Sequence, residues 1–147
     1  MKFFKRLMVA TLKGSTTPHL PGVARALGIS ESDVANLASL QGEEREAGFL
    51  SLVEQRHGGP VDWRGTAEDI YDILQPCVTA EERACLPPVE SIPALRPAET
   101  IQFLDERFAS APRALRSMES LGDFSILLLI PRDRLVEFEK AAGPWLI

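Results

Sequence analysis

Two histidines, two cysteines and a scatter of carboxylates are what this chain offers for group-transfer or metal chemistry. His57, Asp62, Arg64 and Asp69 lie close in sequence. An imidazole and carboxylates can trade a proton while a guanidinium holds an anion, so a small enzyme with a cleft around these four is one reading. Zinc needs three or four Cys, His or acid ligands in register. His19, His57, Cys77 and Cys85 are too far apart for that, and the Cys77-x7-Cys85 spacing matches no zinc or redox pattern. We expect two reduced thiols, no metal and no cofactor. The glycines are scattered singly or in pairs, so no phosphate loop is present. Glu43, Glu44 and Glu46, like Glu81 and Glu82, sit in runs that read as solvated helix faces. The shortage leans against a catalytic centre without deciding the matter.

Asp62-Trp63-Arg64-Gly65-Thr66 is the segment with most to offer a partner. Trp63 reads as a core residue with Arg64 stacked on it. Left on the surface, the same two side chains are of the types that anchor protein interfaces. Taken with the C-terminal strand and the Pro-x-Asp helix, this segment resembles small bacterial α+β domains of unassigned function, over about residues 48–147. The resemblance implies a fold type and no activity. Arg56-His57-Gly58 resembles the signature of histidine phosphatases, a family that needs a second histidine and further basic residues at its pocket. The other histidine, His19, stands in a Pro-flanked loop, and the plainer reading of His57 is a helix end turned by glycine.

Residues 21–40, with Ala24, Leu27-Gly28-Ile29, Val34 and Leu37, resemble a helix-turn-helix. Its second helix would present Glu31 and Asp33 to the phosphates, and no Lys or Arg occurs between Arg25 and Arg45. A DNA-associated regulator is therefore an alternative only, and nucleic acid is not the expected partner.

Charge is distributed unevenly along the chain. The formal net charge is -5, yet Lys2, Lys5, Arg6 and Lys13 put four bases and no acid in the first thirteen residues. All 21 acids and the other 12 bases follow. Residues 2–13 read as an amphipathic helix that covers the core. Its Phe3, Phe4, Lys5 and Arg6 offer a membrane surface a weak foothold. The apolar stretch Leu7 to Leu12 is too short for a signal peptide, and the expected compartment is the cytoplasm.

The elements follow from periodicity and punctuation. Short helices are expected over about 21–27, from Ser30 to Leu40, and from Glu43 to Gln55 (the last less plausibly a strand). His57-Gly58-Gly59-Pro60 reads as a breaker and Val61-Asp62-Trp63 as a short strand. Thr66 with Asp69, and Thr79 with Glu82, read as capped helix starts. Pro87, Pro88, Pro93 and Pro97 make 86–97 a stiff connector, and a helix over about 98–110 follows. Leu115–Leu121 and Phe124–Ile130 read as a hairpin turned at Gly122-Asp123. Its second run is so apolar that both faces must be covered, and Pro131 should take the chain out of the sheet. Asp133 should open a helix through Ala142, with Trp145-Leu146-Ile147 tucked on the core.

The expectation is one α+β domain, 1–147: five or six helices on a small, mostly antiparallel sheet. The function that asks for no missing residue is a non-enzymatic bacterial interaction protein. It would be an acidic binder of immunity or inhibitor type, meeting a basic protein partner.

Overall fold

The structure is a computed structural model that describes residues 18–147. The helix expected over 2–13 lies outside the described residues. Helices α1 (Leu20–Ala26), α2 (Glu31–Ala38) and α3 (Gly42–Val53) precede strand β1 (Gly58–Asp62). Then come α4 (Ala67–Leu74), α5 (Ala80–Cys85) and α6 (Pro97–Arg107), the hairpin β2 (Arg113–Glu119) and β3 (Phe124–Pro131), and α7 (Leu135–Ala142). The sheet is antiparallel throughout, in the order β1-β3-β2. This is an α+β fold with seven α-helices among the described residues, one or two more than the sequence suggested.

Strand β3 organises the molecule. Its residues 125–130 are all buried, as its nearly continuous apolar run requires. Side chains alternate across a strand. Ile126, Leu128 and Ile130 therefore meet one core, with Val34, Leu37, Phe49 and Phe138 from α2, α3 and α7. Leu127 and Leu129 face the other way and join Ile70, Leu74, Ile101, Leu104 and Phe108 from α4, α6 and the turn after it. Helices thus cover both faces, and each fully buried aliphatic side chain contributes roughly 1.5–3 kcal/mol.

The capping predictions hold at atomic detail. Ser30 Oγ accepts the Asp33 N–H, and Thr66 and Thr79 form reciprocal boxes with Asp69 and Glu82. His19 stands in the loop before α1, as expected, and its Nδ1 accepts the Gly22 N–H at 2.9 Å, so it also caps that helix.

Four expectations need correction. Gly58-Gly59-Pro60 does not break the chain but forms most of β1. Gly58 has φ 140°, and a Cβ there would lie 1.8 Å from the Leu127 carbonyl oxygen, so glycine permits the close crossing. Pro60 belongs to a pair that makes no ladder hydrogen bonds, since His57 O accepts from Leu129 N and the pattern alternates. Its missing N–H would have faced outward in any case. Pro131 also stays in the sheet, paired with Arg113. Trp63 lies beyond the end of β1 and is 43% exposed rather than core. Finally, Glu46 and Glu82 are buried, not solvated.

Long-range partners explain both acids. Glu46 Oε2 accepts the Leu121 N–H at 2.8 Å, tying α3 to the hairpin turn. Glu82 receives a two-pronged bond from Arg113, at 2.7 and 2.6 Å. Arg113 also donates to Cys77 O and Arg56 O, so one guanidinium joins β2, α5 and the ends of α3 and α4. Burial pushes the Glu82 carboxyl up, but the Arg113 and Thr79 hydrogen bonds outweigh it and hold the pKa below its ordinary value.

Both margins of the sheet are covered. On β1, the outward Gly58 carbonyl takes the Cys77 thiol, and the Asp62 carbonyl takes the Gly65 N–H at 2.8 Å. On β2, the Leu115 N–H goes to Asp105 and its carbonyl to Arg116. The Ser117 carbonyl takes the Ile147 N–H at 3.0 Å.

Candidate interaction surface

The turn from β1 into α4 is short and heavily bonded. Asp62 Oδ1 accepts the Arg64 N–H at 2.8 Å, and Asp69 Oδ2 accepts the Thr66 N–H at 2.8 Å. Wound this tightly between strand and helix, the chain turns Trp63 outward. The Arg64 guanidinium lies 4.6 Å from the centroid of the Trp63 ring, a cation–π contact at the surface. The expected stacking is present, but on an exposed indole.

Opposite this turn runs the Pro-rich connector. The Tyr71 hydroxyl donates to Pro87 O at 2.5 Å and pins the connector to α4. Burial, with the charge of Glu90 second, raises the Tyr71 pKa and keeps that hydroxyl a donor. A single 3-10 turn, Val89–Ser91, precedes Pro93, and Pro97 begins α6. Between the two walls lies a groove of about 720 Å³. Trp63, Arg64 and Glu68 stand on one side and Glu90, Leu95 and Arg96 on the other. Val89, Ile92, Pro93 and Pro97 add apolar surface.

The charges that line the groove are balanced, Glu68 and Glu90 against Arg64 and Arg96, and the acidic excess belongs to the flanking segments. The two wall segments, 62–72 and 89–99, carry Asp62, Glu68, Asp69, Asp72, Glu90 and Glu99 against Arg64 and Arg96. Asp62, Asp69 and Glu99 use carboxylate oxygens on main-chain N–H groups. Glu68, Asp72 and Glu90 have no ion-pair partner among the described residues.

His57 is elsewhere. It stands at the other end of β1 from Asp62, about 17 Å away at strand spacing. It lines a separate polar hollow of about 510 Å³ with Ser30, Asp33, Ser51, Glu54 and Arg56. Burial first, then the charges of Arg113 and Arg56, lower its pKa and keep the ring neutral near pH 7. Asp33 accepts from Ser30 there. The structure thus gathers Asp62, Trp63, Arg64 and Asp69 at one turn and leaves His57 apart, so the four proposed catalytic groups do not share a cleft. Both cysteines are free, and burial raises the Cys77 pKa. No cluster of His, Cys, Asp or Glu suited to a metal ion occurs among the described residues.

The helical corner of α1 and α2 forms where expected, with Val34 and Leu37 inward. Arg25, its nearest cation, is bonded to Glu31 at 3.1 Å, so the outer surface of α2 keeps its acids. Sequence reasoning missed the connector's side of the groove, because no local pattern couples residue 90 to residue 63. The nearest signal was an acid and an arginine set among prolines.

No family model matches this chain, and no curated protein or solved structure is significantly similar to it. No helix among the described residues is long and apolar enough to cross a membrane.

Proposed function

We propose that this chain is a non-enzymatic interaction protein that binds a basic protein partner, in the manner of an acidic immunity or inhibitor protein. The observation that carries this reading is where the cations go. Of the 12 Lys and Arg after residue 17, eight are occupied within the fold. Arg25, Arg113, Arg116 and Arg134 pair with carboxylates. Arg45, Arg83, Arg107 and Arg132 bond main-chain carbonyls. Arg56, Arg64, Arg96 and Lys140 are left to answer Glu43, Glu44, Glu68, Asp72, Glu81, Glu90 and Glu139, all exposed. The outward field is therefore one of carboxylates, which speeds encounter with a basic surface and repels acidic ones.

The test is affinity capture from the native host across a salt series. A captured partner of basic pI should be released between about 0.1 M and about 1 M salt, as the screening length falls from about 10 Å to about 3 Å. An acidic partner, or retention unchanged at the top of the series, would refute the reading.

A further inference from the structure

The turn from α3 into β1 hangs on one residue. The His57 N–H donates to the Val53 carbonyl at 2.8 Å and closes the end of α3, while the His57 carbonyl accepts the Leu129 N–H at 2.7 Å and ties the turn to β3. We infer that His57 is an acid-sensitive latch: the neutral ring lets this turn stay closed, and a proton on the ring, adding a third positive charge beside Arg56 and Arg113, opens it.

Arg113 reaches the turn from β2. Its guanidinium donates at 3.1 Å to the Arg56 carbonyl, in the peptide that joins Arg56 to His57. The ionisable groups around the ring among the described residues are few. From the end of α3 come Glu54 and Arg56, both exposed, and from α2 comes Asp33, which shares the hollow and accepts from the Ser30 hydroxyl at 3.0 Å. From β2 comes Arg113, its side chain only 16% exposed, and from α5 the fully buried Glu82, bonded to that guanidinium. Beyond α4, the Cys77 thiol goes to the Gly58 carbonyl. Water screens Glu54 and Arg56 most, so the sheltered Arg113 acts more strongly than either. Burial first, then Arg113 and then Arg56, resist a proton on the ring and hold its pKa below the ordinary 6.5. No acceptor is hydrogen-bonded to the ring among the described residues to offset this.

The turn has little in reserve. Gln55 stands in it with φ 69°, a left-handed conformation that a residue with a side chain adopts at a cost. An open turn leaves the ring in water, where it takes up a proton at its ordinary value, and the closed turn takes it up only at lower pH. Closure is therefore fully supported above about pH 6.5 and loses support as pH falls from there through the lowered value. At the upper end of that window Glu82, held below 4.5, is still charged, so its bond to Arg113 persists while the latch responds.

The experiment is amide hydrogen exchange on the whole chain at about pH 7.5 and about pH 5.5. The Leu129 N–H reports the turn, and the Phe108 N–H, bonded to the Leu104 carbonyl of α6, is the reference. Their ratio cancels the effect of pH on the exchange chemistry itself. Acidification should lower the protection of Leu129 relative to Phe108 by roughly threefold to tenfold. His57→Gln, which cannot titrate, should abolish that fall, and Arg56→Gln should make it smaller. In the unaltered chain the His57 ring should titrate by NMR with a midpoint below 6.5. A ratio that does not change with pH, a fall that persists in His57→Gln or is undiminished in Arg56→Gln, or a ring midpoint at or above 6.5 would overturn the inference. The ring titration needs no substitution, so it decides even where a variant does not fold.

Discussion

Arg113 and Glu82 show what a single pair can do and how poorly a sequence advertises it. Glu82 is fully buried and its side chain answers both Arg113 and the Thr79 N–H. Truncating one partner leaves the other charged and buried, so Glu82→Ala should cost about 3–5 kcal/mol in urea unfolding. The pH dependence has a definite sign. The folded protein holds this carboxyl below 4.5, so the unfolded chain takes up its proton first. The stabilisation is complete above about pH 4.5 and lost as pH falls through the lowered value. An acid-unfolding limb unchanged in Glu82→Gln would contradict this. Thr79 and Glu82 were legible as a capping box because their spacing is local. Arg113 was not, because it lies far along the chain and the fold alone brings it close. The same limit hides Leu121 from Glu46, so the local pattern of both acids suggests a solvated face.

At the scale of elements, the helices were readable because capping residues, prolines and the 3.6-residue period are local devices. Strand β3 was readable because a run of Ile and Leu must be covered on both sides. Strand β1 was not, since two glycines and a proline are the usual marks of a turn. Its identity depends on what it crosses, with β3 passing so close to Gly58 that no side chain fits between. Gly58→Ala should therefore lower the unfolding midpoint steeply or prevent folding, both by collision with the Leu127 carbonyl and by the φ of 140°. A variant that melts within a degree or two of the parent would show that the strands separate easily here. Trp63 lies on the surface for a related reason. Its type suggested the core, but the turn bonds at Asp62 and Asp69 leave it no route inward.

For the molecule as a whole, β3 serves two cores at once, which should make unfolding a single event. Leu128→Ala on one face and Leu129→Ala on the other should each cost about 2–5 kcal/mol. Both should depress one transition rather than split it. Two indoles allow a direct check, since Trp145 belongs to one core while Trp63 stands at the end of β1 on the groove side. Emission from Trp145→Phe and Trp63→Phe variants should change at the same urea concentration, and separate midpoints would mean that the layers unfold independently. The covered margins of the sheet have a consequence of another kind. Among the described residues the sheet presents no open row of amides, so crowding copies together gives a fourth strand nowhere to start on it. A partner is thus not recruited by strand addition to this sheet, and surface side chains can change one at a time without disturbing the ladder beneath.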